Sequence, residues 1–155
     1  MKLFVLTGPI QTGKTTRLVE WQRNRSDVDG ILAPVIYGQR HLLHISSQEK
    51  RSLENPSKKK DQEKVGRFVF SKAVFKWAQE KLLNFNTLEY DWLIIDEIGP
   101  LELNRKGLEP SISSLLNKLA TKDINILFVI REGLVEKVLE HYMIDRKNVK
   151  EFIFQ

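Results

Sequence analysis

The chain contains no cysteine, which excludes disulfides, thiolate metal sites and a cysteine nucleophile and leaves the redox compartment unmarked. Stability has to come from packing. It also lacks any apolar run long enough to span a membrane. The leading Met1-Lys2-Leu3-Phe4-Val5-Leu6-Thr7 is too short in apolar residues for a signal peptide, so a cytoplasmic protein without membrane contact is expected. Histidine is scarce. His41, His44 and His141 have no metal-like grouping, strand alternation would send His41 and His44 to opposite faces, and all three are read as structural.

What is present is a basic, well-mixed globular composition. A net charge of +5 raises the question of nucleic acid, but Lys58-Lys59-Lys60 has no interleaved aromatics and lies among Glu54, Asp61 and Glu63. A solvated loop is favoured over a nucleic-acid patch, and nucleic acid is not an expected partner. With 155 residues, 41% of them hydrophobic, the chain makes one domain over 1–155, without repeat or linker.

Short apolar runs alternate with amphipathic helical patterns, the mark of a parallel sheet covered by helices, an α/β sandwich. Leu3 to Leu6 reads as a buried strand, and a helix begins near Gly13 with Leu18 and Trp21 inward. Ile31 to Tyr37 and His41 to Ile45 read as a hairpin around Gly38-Gln39-Arg40. Residues 46–64 are polar and are expected as a mobile loop. Val65 to Phe70 reads as a strand, and Ser71 as the N-cap of a helix with Val74, Trp77, Ala78 and Leu82 on its core face. Trp92 to Ile95 and Ile124 to Ile130 are fully apolar strands. Helices with Ile112, Leu115 and Leu119, then Val135, Val138 and Leu139, follow them, and Val149 to Phe154 looks like a closing edge strand. Pro110 fits only the first turn of its helix.

Gly8-Pro9-Ile10-Gln11-Thr12-Gly13-Lys14-Thr15 matches G-x-x-x-x-G-K-[ST] in full, between a strand and a helix as the motif requires. Its glycines let the backbone wrap so that successive N–H groups and the helix N-terminus face phosphate oxygens. Lys14 is expected to reach the β- and γ-phosphates of a nucleoside triphosphate, and the Thr15 hydroxyl to ligate the Mg²⁺ between them. Thr16 is expected to cap or pack. An ordinary glycine turn would meet all four fixed positions rarely.

Leu93-Ile94-Ile95-Asp96-Glu97 is an apolar strand that delivers acids at its carboxyl end, where P-loop proteins hold their Mg²⁺ aspartate. Asp96 is expected to hold Mg²⁺ through a water. Glu97, directly after it, is placed to orient the attacking water and take its proton, which makes hydrolysis the leading reaction.

These residues resemble the small P-loop nucleoside-triphosphatase family of the thermophile and cancer-related type. The resemblance rests on Gly8 to Thr16, on Asp96-Glu97-Ile98-Gly99-Pro100-Leu101-Glu102-Leu103, similar to the family's D-E-I-G-x-x-E-L segment, and on Val129-Ile130-Arg131-Glu132. Gly30 to Pro34 and Val65 to Phe68 also look like its middle region. The resemblance implies a three-layer P-loop sandwich with a RecA-like, mostly parallel sheet and an inserted hairpin. It also implies Mg²⁺-dependent hydrolysis with little base preference and slow turnover. Residues 35–64 depart from the longer arginine- and glycine-rich hairpin of many members, so no partner or base preference is carried over from it.

Several assignments stay open on sequence. Arg131 suits an arginine finger in cis, or an ion pair with Glu132 or Glu97. Glu102 suits water positioning, a brace for the turn at Gly99-Pro100, or a surface salt bridge. Arg40 and Arg67 either reach phosphate or are solvated. A nucleoside or nucleotide kinase would share the phosphate loop, but segment 46–66 has Arg51 as its one arginine, against the several of a kinase lid. A nucleotide-switched adaptor is the other rival.

Overall fold

The computed structural model describes residues 1–9 and 12–155. In chain order the strands are β1 (Lys2–Leu6), β2 (Val28–Leu32), β3 (Val35–Ile36), β4 (Gln39–His44), β5 (Lys50–Ser52), β6 (Gln62–Val65), β7 (Phe68–Ser71), β8 (Trp92–Ile98), β9 (Asn125–Ile130) and β10 (Val149–Glu151). The helices are α1 (Lys14–Gln22), α2 (Lys72–Leu83), α3 (Pro100–Leu103), α4 (Ser111–Leu119) and α5 (Val135–His141).

The main sheet runs β10-β1-β9-β8-β2-β4-β3. From β10 to β2 every pairing is parallel, and β4 adds to β2 antiparallel. A parallel sheet is covered on both faces, so its strands read as unbroken apolar runs. On β8, Leu93 and Ile95 belong to one core cluster and Ile94 to the other. The first cluster packs the sheet against α2, α4 and α5 through Trp77, Ala78, Leu82, Ile112, Leu115, Leu119, Val138 and Leu139. The second packs it against α1 through Leu18. Beside Leu18, Trp21 and Phe152 meet edge to face at 5.4 Å, and Trp21 meets Trp92 at 5.5 Å. This is the three-layer sandwich with a mostly parallel sheet that the motifs implied.

Three sequence expectations change. The run from Val65 to Phe70 is not one strand: Gly66 and Arg67 turn the chain back, and β6 pairs antiparallel with β7 as a separate two-stranded sheet. Gly66 has φ 57°, a conformation glycine adopts without strain. Residues 46–64, expected as a mobile loop, are not without regular structure: they contain β5, which pairs with β4, a 3₁₀ turn at Lys59–Asp61 and most of β6. Their polarity misled the reading because these short strands sit at a sheet edge, where one face meets water. The expected hairpin is present, with its turn at Tyr37-Gly38. Its first arm is split: Ile31 and Leu32 belong to β2, and β3 follows after Ala33-Pro34.

The Ser71 cap is formed. Its hydroxyl accepts the Val74 N–H at 3.2 Å and donates to Asp61 Oδ2 at 2.8 Å. Pro110 is the N-cap residue of α4. Among the described residues no helix is long and apolar enough to cross a membrane.

Candidate active site

The loop after β1 leads directly into α1, and Gly13 caps the helix with φ 80°, a left-handed conformation that favours glycine. Among the described residues no side chain caps α1, and its first turn contains no acid. Lys14 Nζ lies over the loop and donates to Gly8 O at 3.0 Å and Pro9 O at 2.9 Å. The Thr12 hydroxyl donates to Pro9 O at 2.8 Å. Ile10 and Gln11, expected to contact phosphate, lie outside the described residues. Gly13, not Thr16, is the N-cap residue of α1, and Thr16 is exposed rather than packed in the core.

The decisive contact joins this loop to the acid-bearing strand. Strands β1 and β8 are separated by β9, yet the Thr15 hydroxyl donates to Asp96 Oδ2 at 2.8 Å. Asp96 is 1% exposed. Its Oδ2 also accepts the Ala33 N–H at 3.0 Å and its Oδ1 the Glu97 N–H at 2.8 Å. Burial and, after it, the neighbouring Glu97 charge push its carboxyl up to about 6, against the pull of these three donors.

A bulge separates the two acids. The register of β8 with β9 shifts between Ile95 and Ile98, and Glu97 has φ 61°. Such a backbone costs a non-glycine residue roughly 1–3 kcal/mol and is retained where it aims a side chain. Here it keeps Asp96 buried and turns Glu97 outward, its side chain 48% exposed. Arg40 Nη1, from β4, meets Glu97 Oε1 at 3.2 Å.

Just beyond, Glu102 is 3% exposed, so the surface salt bridge weighed for it does not form. Its Oε1 accepts the Gly99 N–H at 3.0 Å and its Oε2 the Leu108 N–H at 3.1 Å. Burial outweighs these donors and raises its carboxyl to about 7. Gly107 makes room for it: a Cβ there would lie 2.0 Å from Glu102 Oε2.

Arg131 stands at the same sheet edge, directly after the Ile98–Ile130 pair, with its backbone N–H on Ile98 O at 3.2 Å. The ion pairs weighed for it, with Glu132 or Glu97, do not form among the described residues; Glu97 pairs with Arg40 instead. Arg67 is at the β6–β7 turn over the Phe68 ring, and no described contact joins it to the phosphate loop. His44 pairs with buried Asp29 at 3.2 Å, and the described residues hold no cluster of three or more His, Cys, Asp or Glu suited to a metal. Sequence reasoning missed the Ala33 N–H, because a backbone donor leaves no trace in residue type.

A glycine-rich loop opening a helix, joined through a hydroxyl to a buried acid at the carboxyl edge of a parallel sheet, defines a P-loop nucleotide-binding protein. The chain belongs to the NTPase family, whose model matches residues 3–153, and it is a nucleoside-triphosphatase. Its fold is similar to that of a human cancer-related nucleoside triphosphatase, with TM-score 0.69 and 24% identity over 100% of this chain and 89% of that one. It is similar also to THEP1 from the hyperthermophile Aquifex aeolicus, with TM-score 0.68 and 18% identity over 97% and 88%. Comparison with curated proteins gives no match.

Proposed function

We propose that the chain hydrolyses nucleoside triphosphates to diphosphate and phosphate with Mg²⁺ at the edge where β1, β8 and β9 end, and that it does so in the cytoplasm with broad base preference and slow turnover. The observation that carries this reading is the Thr15–Asp96 bond of 2.8 Å with Glu97 turned outward beside it. A hydroxyl that gives its proton to a buried carboxylate keeps its oxygen lone pairs for a hard cation, and one hydroxyl with one carboxylate suits Mg²⁺, which keeps waters and takes phosphate oxygens as further ligands. When bound, the ion neutralises charge on the phosphates.

The remaining work falls to the chain. The residues of the loop from Gly8 to Thr16 surround the phosphates, and Lys14 exchanges its loop carbonyls for β- and γ-phosphate oxygens. Glu97 takes a proton from a water as that water's oxygen bonds to the γ-phosphorus and the bond to the bridging oxygen breaks, with the diphosphate leaving. Arg131 adds positive charge toward the transferring group from the adjacent strand end.

The test is phosphate release from each of the four common ribonucleoside triphosphates, with and without Mg²⁺, for the native protein, Glu97→Gln and Lys14→Ala. Release should need Mg²⁺ and differ little between bases. Glu97→Gln should lose about 10²–10⁴-fold in turnover while still binding nucleotide, and Lys14→Ala should lose binding. Undiminished release by Glu97→Gln would remove it from the reaction.

A further inference from the structure

The surroundings of Arg40 differ from those of a solvated arginine. Its Nη1 donates to Ala33 O at 2.7 Å and to Glu97 Oε1 at 3.2 Å. Ala33 is the residue whose N–H is held by Asp96 Oδ2, so the guanidinium rests on backbone fastened to the buried acid. The backbone of Arg40 is held as well. Its N–H donates to Glu54 Oε2, and its carbonyl accepts the Leu53 N–H at 2.9 Å.

Resting on the reading of Glu97 as the group that takes the proton of the attacking water, we propose that Arg40 is a positioning residue for hydrolysis. It fixes one oxygen of the Glu97 carboxylate relative to Asp96, and Oε2, which has no hydrogen-bond partner among the described residues, faces the water. The bulge sets only where the Glu97 side chain starts. Three further torsions of a half-exposed glutamate remain free, and ordering them costs conformational entropy. A surface ion pair seldom achieves this because both partners move. Here one partner is 29% exposed and pinned by a second bond from the same nitrogen. Nη1 serves both acceptors from a rigid planar fork, which the rotating ammonium of a lysine does not reproduce.

The same guanidinium would serve a different role if it bound phosphate directly, and kinetics separate the two. kcat, KM and the nucleotide Kd are measured for the native protein, Arg40→Met, Arg40→Lys, Glu97→Gln and Arg40→Met combined with Glu97→Gln, with urea melts to confirm that each is folded. Arg40→Met should lower kcat about 10–100-fold with KM and Kd within about twofold, Arg40→Lys should recover only part of that loss, and Arg40→Met should cost nothing more once Glu97 is Gln. A raised Kd with kcat held, or a full multiplicative loss in the double variant, overturns the proposal even while Glu97→Gln lowers turnover as expected. If Glu97→Gln itself retains full turnover, the reading of Glu97 fails first, and the positioning role with it.

Discussion

The buried Glu102 makes a prediction of unusual sign. Most carboxylates in folded proteins sit below their ordinary value and lend stability as pH rises. Glu102 is raised from 4.5 to about 7, chiefly by burial. Between those values the folded chain keeps the proton and the unfolded chain has lost it, so the stability due to this group falls as pH rises through the window and is flat outside it. The interval between 4.5 and about 7, at about 1.4 kcal/mol per pH unit, amounts to about 3 kcal/mol. The assay is urea unfolding of the native protein and Glu102→Gln at intervals from pH 4.5 to 8. The amide keeps one acceptor for Gly99 or Leu108 and presents an NH₂ to the other N–H, a cost of roughly 1–3 kcal/mol that does not depend on pH. Asp96, whose raised carboxyl does not interact with Glu102, contributes to both curves and cancels in the difference. The advantage of the native protein over Glu102→Gln should therefore shrink with rising pH, by up to about 3 kcal/mol. Parallel curves, or a gap that widens with pH, would refute the reasoning.

Two further substitutions probe what holds the site in place. Gly30 pairs with Ile94 in the middle of the sheet at φ 136°, and a Cβ there would lie 2.0 Å from Ile94 O; Gly30→Ala should cost about 3 kcal/mol or more in urea unfolding, and a cost below ~1 kcal/mol would mean that β2 and β8 can move apart. Ser71→Ala removes both the cap on Val74 N–H and the bond to Asp61; a loss of about 1–2 kcal/mol in thermal or urea melts is expected with kcat unchanged, and a change in kcat would tie the β6–β7 sheet to the reaction.

Much was legible in residue order alone. The phosphate loop, the apolar strands and the acids after Ile95 are local patterns: a strand buried on both faces must be continuously apolar, and a loop that wraps phosphate needs glycine at set places and a lysine beside them. Lys14, Thr15, Asp96 and Glu97 were therefore singled out as candidates by local pattern alone. The Ser71 cap was equally local, a hydroxyl meeting an N–H three residues on.

Where the reading faltered, the cause was distance along the chain. The turn at Gly66-Arg67 was hidden inside an apolar run, and β5 and β6 inside a polar one, because a short edge strand takes its meaning from its partner. Glu102 stays open in sequence between water positioning, a brace for the Gly99-Pro100 turn and a surface salt bridge, and the brace is seen only when Gly107 and Leu108 close over it. Arg40 reads as a lone cation until β4 lies along β2 and brings it to Glu97, fifty-seven positions away. Thr15 and Asp96 are eighty-one apart. Sequence determines which groups are present and what each can do locally. Their mutual distances, their burial and so their protonation depend on which strands become neighbours, and that follows from packing the whole sheet.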